Sequence, residues 1–223
     1  MTRLTPKPVW SFNADGSVMD LGRPDQTFVC FLEIGNTLSK IARFNGRYPG
    51  PAYSDAQHCV MGAQAVLNEG GTNADAALFL LHDAHEWALG DTPRPAANLY
   101  DGVARDIYGD DHVADSICAS KAAWDEEIYA AAGLPGPEAW TKRQRAMVKG
   151  MDDRMCRAEA IALFGPRAAE QFPKSTTPKT TGAIRSWGAM KAEEEFRKMA
   201  YRLIGEDRVL EQAGIAAAAR ALR

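Results

Sequence analysis

The sequence is short of the features that mark several common protein classes. Among 223 residues there are only four cysteines. Cys30, Cys59, Cys118 and Cys156 stand far apart in apolar helical stretches and form no CxxC pair, so they read as small buried hydrophobes of a reducing compartment rather than as a disulfide framework. No stretch approaches the roughly 20 consecutive apolar residues of a membrane span. The opening, Met1 to Pro6, lacks the apolar core of a signal peptide. A cytoplasmic protein without a membrane partner is expected. An excess of one charge is missing too: 26 Lys and Arg against 29 Asp and Glu leave a net charge of −3. That balance provides no field for a polyanion, so bulk nucleic-acid binding is not expected, and a phosphate-bearing ligand needs a local basic cluster, a metal, or both. GxxxxGK[ST], GxGxxG after a strand, GxSxG and HExxH are all absent, which removes phosphate-cradling loops and the commoner hydrolase designs.

With 46% hydrophobic and 25% charged residues, the chain can bury one substantial core. Val9 to Met19 reads as a hairpin turning at Asp15-Gly16, giving a short β-hairpin arm over residues 1–26. From Thr27 onward apolar residues recur at helical spacing, with Gly35-Asn36 as a place where the first helix breaks or bends. Arg43 to Pro51 is a loop, because Gly and two prolines interrupt it. Ser54-Asp55-Ala56-Gln57 has the capping-box pattern and opens a helix up to Gly70-Gly71. A second helix, apolar nearly all round and hence central, is expected from Thr72-Asn73 to Leu89, ending at Gly90. Further helices are expected at roughly 97–108, 112–132, 137–164, 186–203 and 206–222, with 171–182 an exposed loop. The fold class is all-α, a single domain over 27–223 with its core at 30–164 and C-terminal helices at 186–222.

Three of the four histidines, His58, His82 and His85, fall where two expected helices begin and end. At about 100° per residue, His82, Asp83 and Glu86 share one arc of the central helix. Beside the apolar run Ala76 to Leu81, an unpaired His-Asp-Glu set would be costly to bury, and a bound cation answers that cost. A satisfied core histidine with a helix-end carboxylate is the plainer alternative. In the expected helix 137–164, Asp152-Asp153 lies among Met147, Val148, Met151 and Met155, so one of the two should point inward. Two His and two Asp suit Mn²⁺, Co²⁺, Fe²⁺ or Mg²⁺ better than a thiolate zinc site.

His58, His82-Asp83 and Asp153 reproduce the order H…HD…D, and the chain resembles the HD-domain phosphohydrolases. His82-Asp83-Ala84-His85-Glu86 followed by Gly90-Asp91-Thr92-Pro93 is similar to the HDxxE…GDxP signature of the bacterial 5′-deoxynucleotidase branch and related phage-type proteins. Ile41 to Gly46 and Tyr53 to Val60 are similar to the RFNG…YSVAQHSV stretch of the phage-type members. The similarity covers about Cys30 to Phe164. His85 departs from it, standing where a small residue is common. Trp87 replaces the acidic residue that follows the Glu in alarmone hydrolases, which argues against that activity.

The resemblance implies a helical bundle around one divalent metal ion, held by His58, His82, Asp83 and Asp153, with Asp152 as a neighbour. It implies that the ion acidifies a water and polarises a phosphorus. Glu86 would handle the water or protonate the leaving 5′ oxygen. Asp91 would hold a water or a sugar hydroxyl, or simply organise the turn before Pro93. Arg43 would meet the phosphate, and Phe44 the sugar or base unless it is core packing. Arg47, Arg94, Lys121 and Lys149 are further candidates for phosphate contacts, equally explained as surface charge. The expected substrate is a nucleotide cleaved at its 5′ phosphate ester, either dNMP to nucleoside and phosphate or dNTP to nucleoside and tripolyphosphate. A non-catalytic nucleotide- or metal-binding protein of the same fold is the alternative, and a homo-oligomer through the C-terminal helices stays open.

Overall fold

A computed structural model describes residues 3–110 and 112–222. It begins with the hairpin: β1 (Trp10–Phe12) pairs antiparallel with β2 (Val18–Asp20), Ser11 opposite Met19. Asp15-Gly16 lies in the turn, which the Asn13 N–H closes onto the Ser17 carbonyl at 2.8 Å. Met19 enters the core while Trp10 and Phe12 stay exposed. All other regular elements described are helical, so the chain has the expected all-α character with a β-hairpin arm.

The core is built around α1 (Phe31–Leu38), α2 (Asp55–Asn68) and α3 (Asn73–Leu80), with α7 (Lys142–Phe164) and α8 (Ala189–Ala200) packed on them. Gly35 does not break α1. A Cβ there would come within 2.8 Å of the Phe196 ring, so the missing side chain is what lets α8 lie close. Gly62 does the same for the α2–α3 pair, where a Cβ would meet Phe79 at 2.0 Å. Three of these helices start at a side-chain cap: Ser54 accepts the Gln57 N–H, and Thr72 with Asp75 and Thr141 with Gln144 form reciprocal capping boxes. At Ser54 the box is only half made. The Gln57 side chain instead donates to the Arg185 carbonyl at 2.7 Å and accepts from the Trp187 N–H at 2.8 Å, tying the chain ahead of α8 to α2.

The expected central helix is interrupted. Ala76 to Leu81 are fully buried as anticipated, but α3 ends at Leu80. Residues 81–85 follow as tight turns with i→i−3 bonds, such as Ala84 N–H to Leu81 O and Glu86 N–H to Asp83 O, before the short α4 (Glu86–Leu89). The cause is local. The Phe79 carbonyl, which a continuing helix would offer to Asp83, accepts from both the backbone N–H and the ring of His82. A pattern read at 100° per residue therefore misjudges where Glu86 points.

α5 (Arg94–Val103) continues through a wider turn at Ala104–Tyr108, and α6 (Val113–Ala132) returns against the hairpin, donating from the Trp124 indole to the Leu21 carbonyl. From 172 to 188 no helix or strand forms. α9 (Glu206–Ala221) buries Val209 and Ala216, and Gln212 reaches the Gln26 carbonyl at 2.6 Å. All four cysteines are free thiols; Cys30 and Cys59 are buried and Cys156 half-buried, but Cys118 is exposed on α6, contrary to expectation. Among the described residues no helix is long and apolar enough to cross a membrane.

Candidate metal centre

His58 sits in the first turns of α2 and is completely buried. Its Nδ1 lies 2.7 Å from Glu159 Oε1 on α7. Glu159 is equally buried and also accepts from the Tyr53 hydroxyl at 3.1 Å and Arg43 Nε at 3.0 Å. With the Nδ1 proton directed at that carboxylate, the Nε2 lone pair is left to face the interior. His82 is oriented in the same way: Nδ1 donates to the Phe79 carbonyl at 2.7 Å, which frees Nε2. The two Nε2 atoms are 3.4 Å apart.

Two lone pairs at that distance need a positive charge between them, and the neighbours are carboxylates. Asp83 Oδ2 is 3.1 Å from His82 Nε2 and 4.0 Å from His58 Nε2; Asp152 Oδ1 is 3.3 Å from His58 Nε2 and 3.8 Å from His82 Nε2. Ligand atoms about 2.1 Å from one ion are spaced about 3.0 Å apart in octahedral and about 3.4 Å in tetrahedral geometry. Three of the five spacings fall in or at that range, so His58, His82 and Asp152, with Asp83 beside His82, could hold a single cation. Burial alone would lower both histidines, yet Asp83 and Asp152 beside His82, and Glu159 and Asp152 beside His58, hold both above the ordinary histidine range. The site attracts positive charge. Cys59 also lies near His82 and Asp83, but burial pushes its thiol up to about 12, which leaves it a neutral neighbour.

Asp153, expected among the ligands, is not part of this cluster. It is 42% exposed and bonds Lys149 at 2.8 Å one turn earlier on α7, with Arg94 at 3.9 Å. The helix turns about 100° between adjacent residues, and Asp152 rather than Asp153 lies on the face that carries Val148, Met155 and Glu159. The structure thus brings together His58, His82 and Asp83 from the expected set, with Asp152 in place of Asp153.

Glu86 and Asp91 are close by but form a different group. A carboxylate oxygen from each of Asp55, Glu86 and Asp91 lies within 4.8 Å of the others. Burial first, then the carboxylates of Asp83 and Asp55, push Glu86 up to about 11, so it carries a proton at neutral pH. Burial also raises Asp55, to about 6 against the pull of Arg43, and raises Asp91. Asp55 entered the sequence reading only as part of a helix cap.

Arg43 reaches the site, but its guanidinium is already engaged by the protein. Besides Glu159, Nη1 lies 3.2 Å from Asp55 and 3.5 Å from Asp83, and Nη2 donates to Cys156 Sγ at 2.9 Å. The loop that carries it is pinned at its base by the Ala42–Ser54 bridge and by Arg43 N–H to Tyr53 O at 2.9 Å. Phe44 follows with φ +56°, a left-handed conformation unusual for an aromatic residue, and packs edge-on against Phe164, ring centres 5.4 Å apart. Of the other basic candidates, Arg94 and Lys149 face Asp153 and Arg47 is exposed, while Lys121 is the one whose charge acts on Asp91. Sequence reasoning did not single out Glu159, Asp55 or Asp125, which backs His85. For Glu159 a signal existed, since it is seven residues beyond Asp152 on the same helix face. No family model and no curated protein matches this sequence, so the site is read from its own geometry.

Proposed function

We propose that this chain is a metal-dependent phosphohydrolase of the HD type, acting on the 5′ phosphate ester of nucleotides and on deoxynucleotides in the first place. The observation that carries the reading is the convergence of His58 Nε2 and His82 Nε2 on the Asp83 and Asp152 carboxylates, each imidazole being held from behind by an acceptor. That set of two nitrogens and two carboxylates fits Mn²⁺, Co²⁺, Fe²⁺ or Mg²⁺. An ion bound there supplies Lewis acidity toward a phosphoryl oxygen and acidifies water.

The chain's own groups do the rest. Glu86, protonated and buried beside Asp83, is suited to give its proton to a departing 5′ oxygen and to take one back from water in the return step. Asp91, whose carboxylate groups with those of Glu86 and Asp55, would hold a water or a sugar hydroxyl. Arg43 brings fixed positive charge to Asp83, and its part toward a phosphate rests on that proximity. The nucleotide class is supported by the HDxxE…GDxP and RFNG segments of the sequence.

The test is a panel of deoxy- and ribonucleoside mono- and triphosphates with Mn²⁺, Co²⁺ or Mg²⁺. Phosphate release is measured colorimetrically, with and without added pyrophosphatase, and the nucleoside product is identified by chromatography. Free nucleoside with phosphate identifies a monophosphatase; free nucleoside with tripolyphosphate identifies a triphosphohydrolase. No nucleoside from any nucleotide with any ion refutes the reading and favours a non-catalytic binding protein.

A further inference from the structure

The segment from Gln171 to Ala192 contains no Asp or Glu, yet it carries Lys174, Lys179, Arg185 and Lys191 in a chain whose net charge is −3. Part of it, together with the C-terminal half of α7, walls a cavity of about 260 Å³. Two arginines of α7 stand in that wall, and their surroundings differ. Arg154 is fully engaged: its Nη atoms reach both carboxylate oxygens of Glu69 at 2.7 and 2.6 Å, and it donates to the carbonyls of Thr176 and Thr177 at 3.0 and 3.2 Å. Arg157, one turn on, makes no hydrogen bond or ion pair among the described residues, and its Nε is buried without a partner.

The rest of the cavity suits a negative ligand. No described Asp or Glu lines it, so the Arg157 guanidinium has no counter-charge there. The hydroxyls of Ser175, Thr176 and Thr177 also line it and are bound to no other described protein atom, while Ile161 and Ile184 give it an apolar side. Both walls are held in place. Arg154 pins Thr176 and Thr177 to α7, and at the end of α2 Asn68 takes the Lys179 carbonyl at 2.6 Å and Glu69 its N–H at 3.0 Å. A recess formed beforehand spares a ligand the cost of ordering it. It is also separate from the metal centre: at about 100° per residue, Arg157 lies about 140° round α7 from Asp152 and about 160° from Glu159.

We propose that this cavity is a site for a phosphoryl anion, free or carried by a small ester, with Arg157 as its principal contact. A planar guanidinium matches two oxygens of an oxyanion. A tetrahedral phosphoryl group then keeps further oxygens for hydroxyl donors, which a planar carboxylate held by the same fork does not. In an ester the apolar part rests on Ile161 and Ile184. The proposal depends neither on the metal centre nor on the reaction proposed for it.

The experiment titrates the metal-stripped full chain, kept in chelator, with inorganic phosphate, phenyl phosphate, benzoate and phenol. Calorimetry reads affinity, phosphorus NMR follows the two phosphoryl ligands and circular dichroism checks folding. Wild type should bind a phosphoryl ligand at millimolar concentration or below, benzoate more weakly and phenol not at all. Arg157→Gln should weaken that binding by about 10-fold or more, the scale of a hydrogen bond to a charged group. Arg157→Lys, which keeps the charge without the fork, should fall between. Tighter binding of phenyl phosphate than of phosphate identifies an ester as the occupant; equal or weaker binding identifies the free ion. The proposal is overturned if neither phosphoryl ligand binds, if benzoate or phenol binds as tightly, or if folded Arg157→Gln binds as wild type does. Should Arg157→Gln fail to fold, wild-type affinity in Arg157→Lys overturns it.

Discussion

On the imidazole side of the centre, every atom behind the ligands has a partner. Glu159 is shared by His58, Tyr53 and Arg43, and the Phe79 carbonyl takes His82. On the carboxylate side, Asp55 and Glu86 share the Glu86 proton in a hydrogen bond, and His85 Nε2 is buried with no partner. The first arrangement holds the two Nε2 atoms in place before any ligand arrives, which spares the ordering cost at binding. The second stores unmet electrostatic demand, satisfied only by protons, cations or substrate. Fixed ligands next to titrating acids is the division of labour that acid–base chemistry at a metal requires.

The comparison breaks most severely if the imidazole side is removed. His82→Ala should abolish hydrolysis and uptake of the ion at His58 together, because the remaining nitrogen and carboxylates no longer enclose it. Full metal content in that variant by elemental analysis would refute the centre.

Glu86→Gln tests the other side. It should leave the ion at His58 and His82 in place and lower kcat by about 10²-fold, the scale of a lost acid–base group. Normal turnover would remove Glu86 from the chemistry. In metal-free protein the same change should be visible in stability. A carboxyl raised by folding contributes fully below its unfolded value of 4.5, and that contribution fades as pH climbs toward about 11. Gln does not titrate, so urea unfolding of the variant should show a flatter decline above about pH 5. An unchanged slope would assign the dependence to other groups.

Glu159→Gln should weaken metal affinity by about 10- to 100-fold without removing a ligand, since it alters only what lies behind His58. Isothermal titration with Mn²⁺ measures this; affinity equal to wild type would mean that His58 needs no such support. The smallest effect belongs to Asp153→Ala, expected within about 0.5 kcal/mol of wild-type stability and near wild-type activity. Asp152→Ala should lose the ion. The reverse ranking in metal content would restore Asp153 to the ligand set.

That last pair was decidable from sequence. Four residues either side of Asp152 stand Val148 and Cys156, whereas those flanking Asp153 are Lys149 and Arg157. Neighbours at i±4 share a helix face, so the inward carboxylate is the one with apolar neighbours. The motif order H…HD…D cannot distinguish adjacent aspartates. The break after Leu80 was harder to see, because His82 is compatible with a helix until its ring takes the carbonyl that the next turn needs.

The sequence by itself determined the helical class, the cap at Ser54, the helix start near Thr72, the hairpin turn at Asp15-Gly16 and the presence of His58, His82 and Asp83 as candidates beside apolar helix runs. All of these follow from interactions over a few residues, whose periodicity is written directly in the chain. Only the tertiary structure decided that Glu159 backs His58 from 101 residues away, that Asp125 backs His85 from 40 away and that Arg43 is engaged by Asp55, Asp83 and Glu159. Such pairings depend on how α6 and α7 lie against the α2–α3 pair and on the rotation of each helix about its own axis. Those are set by packing across the whole core, as where Gly62 admits the Phe79 ring, and no local pattern encodes them.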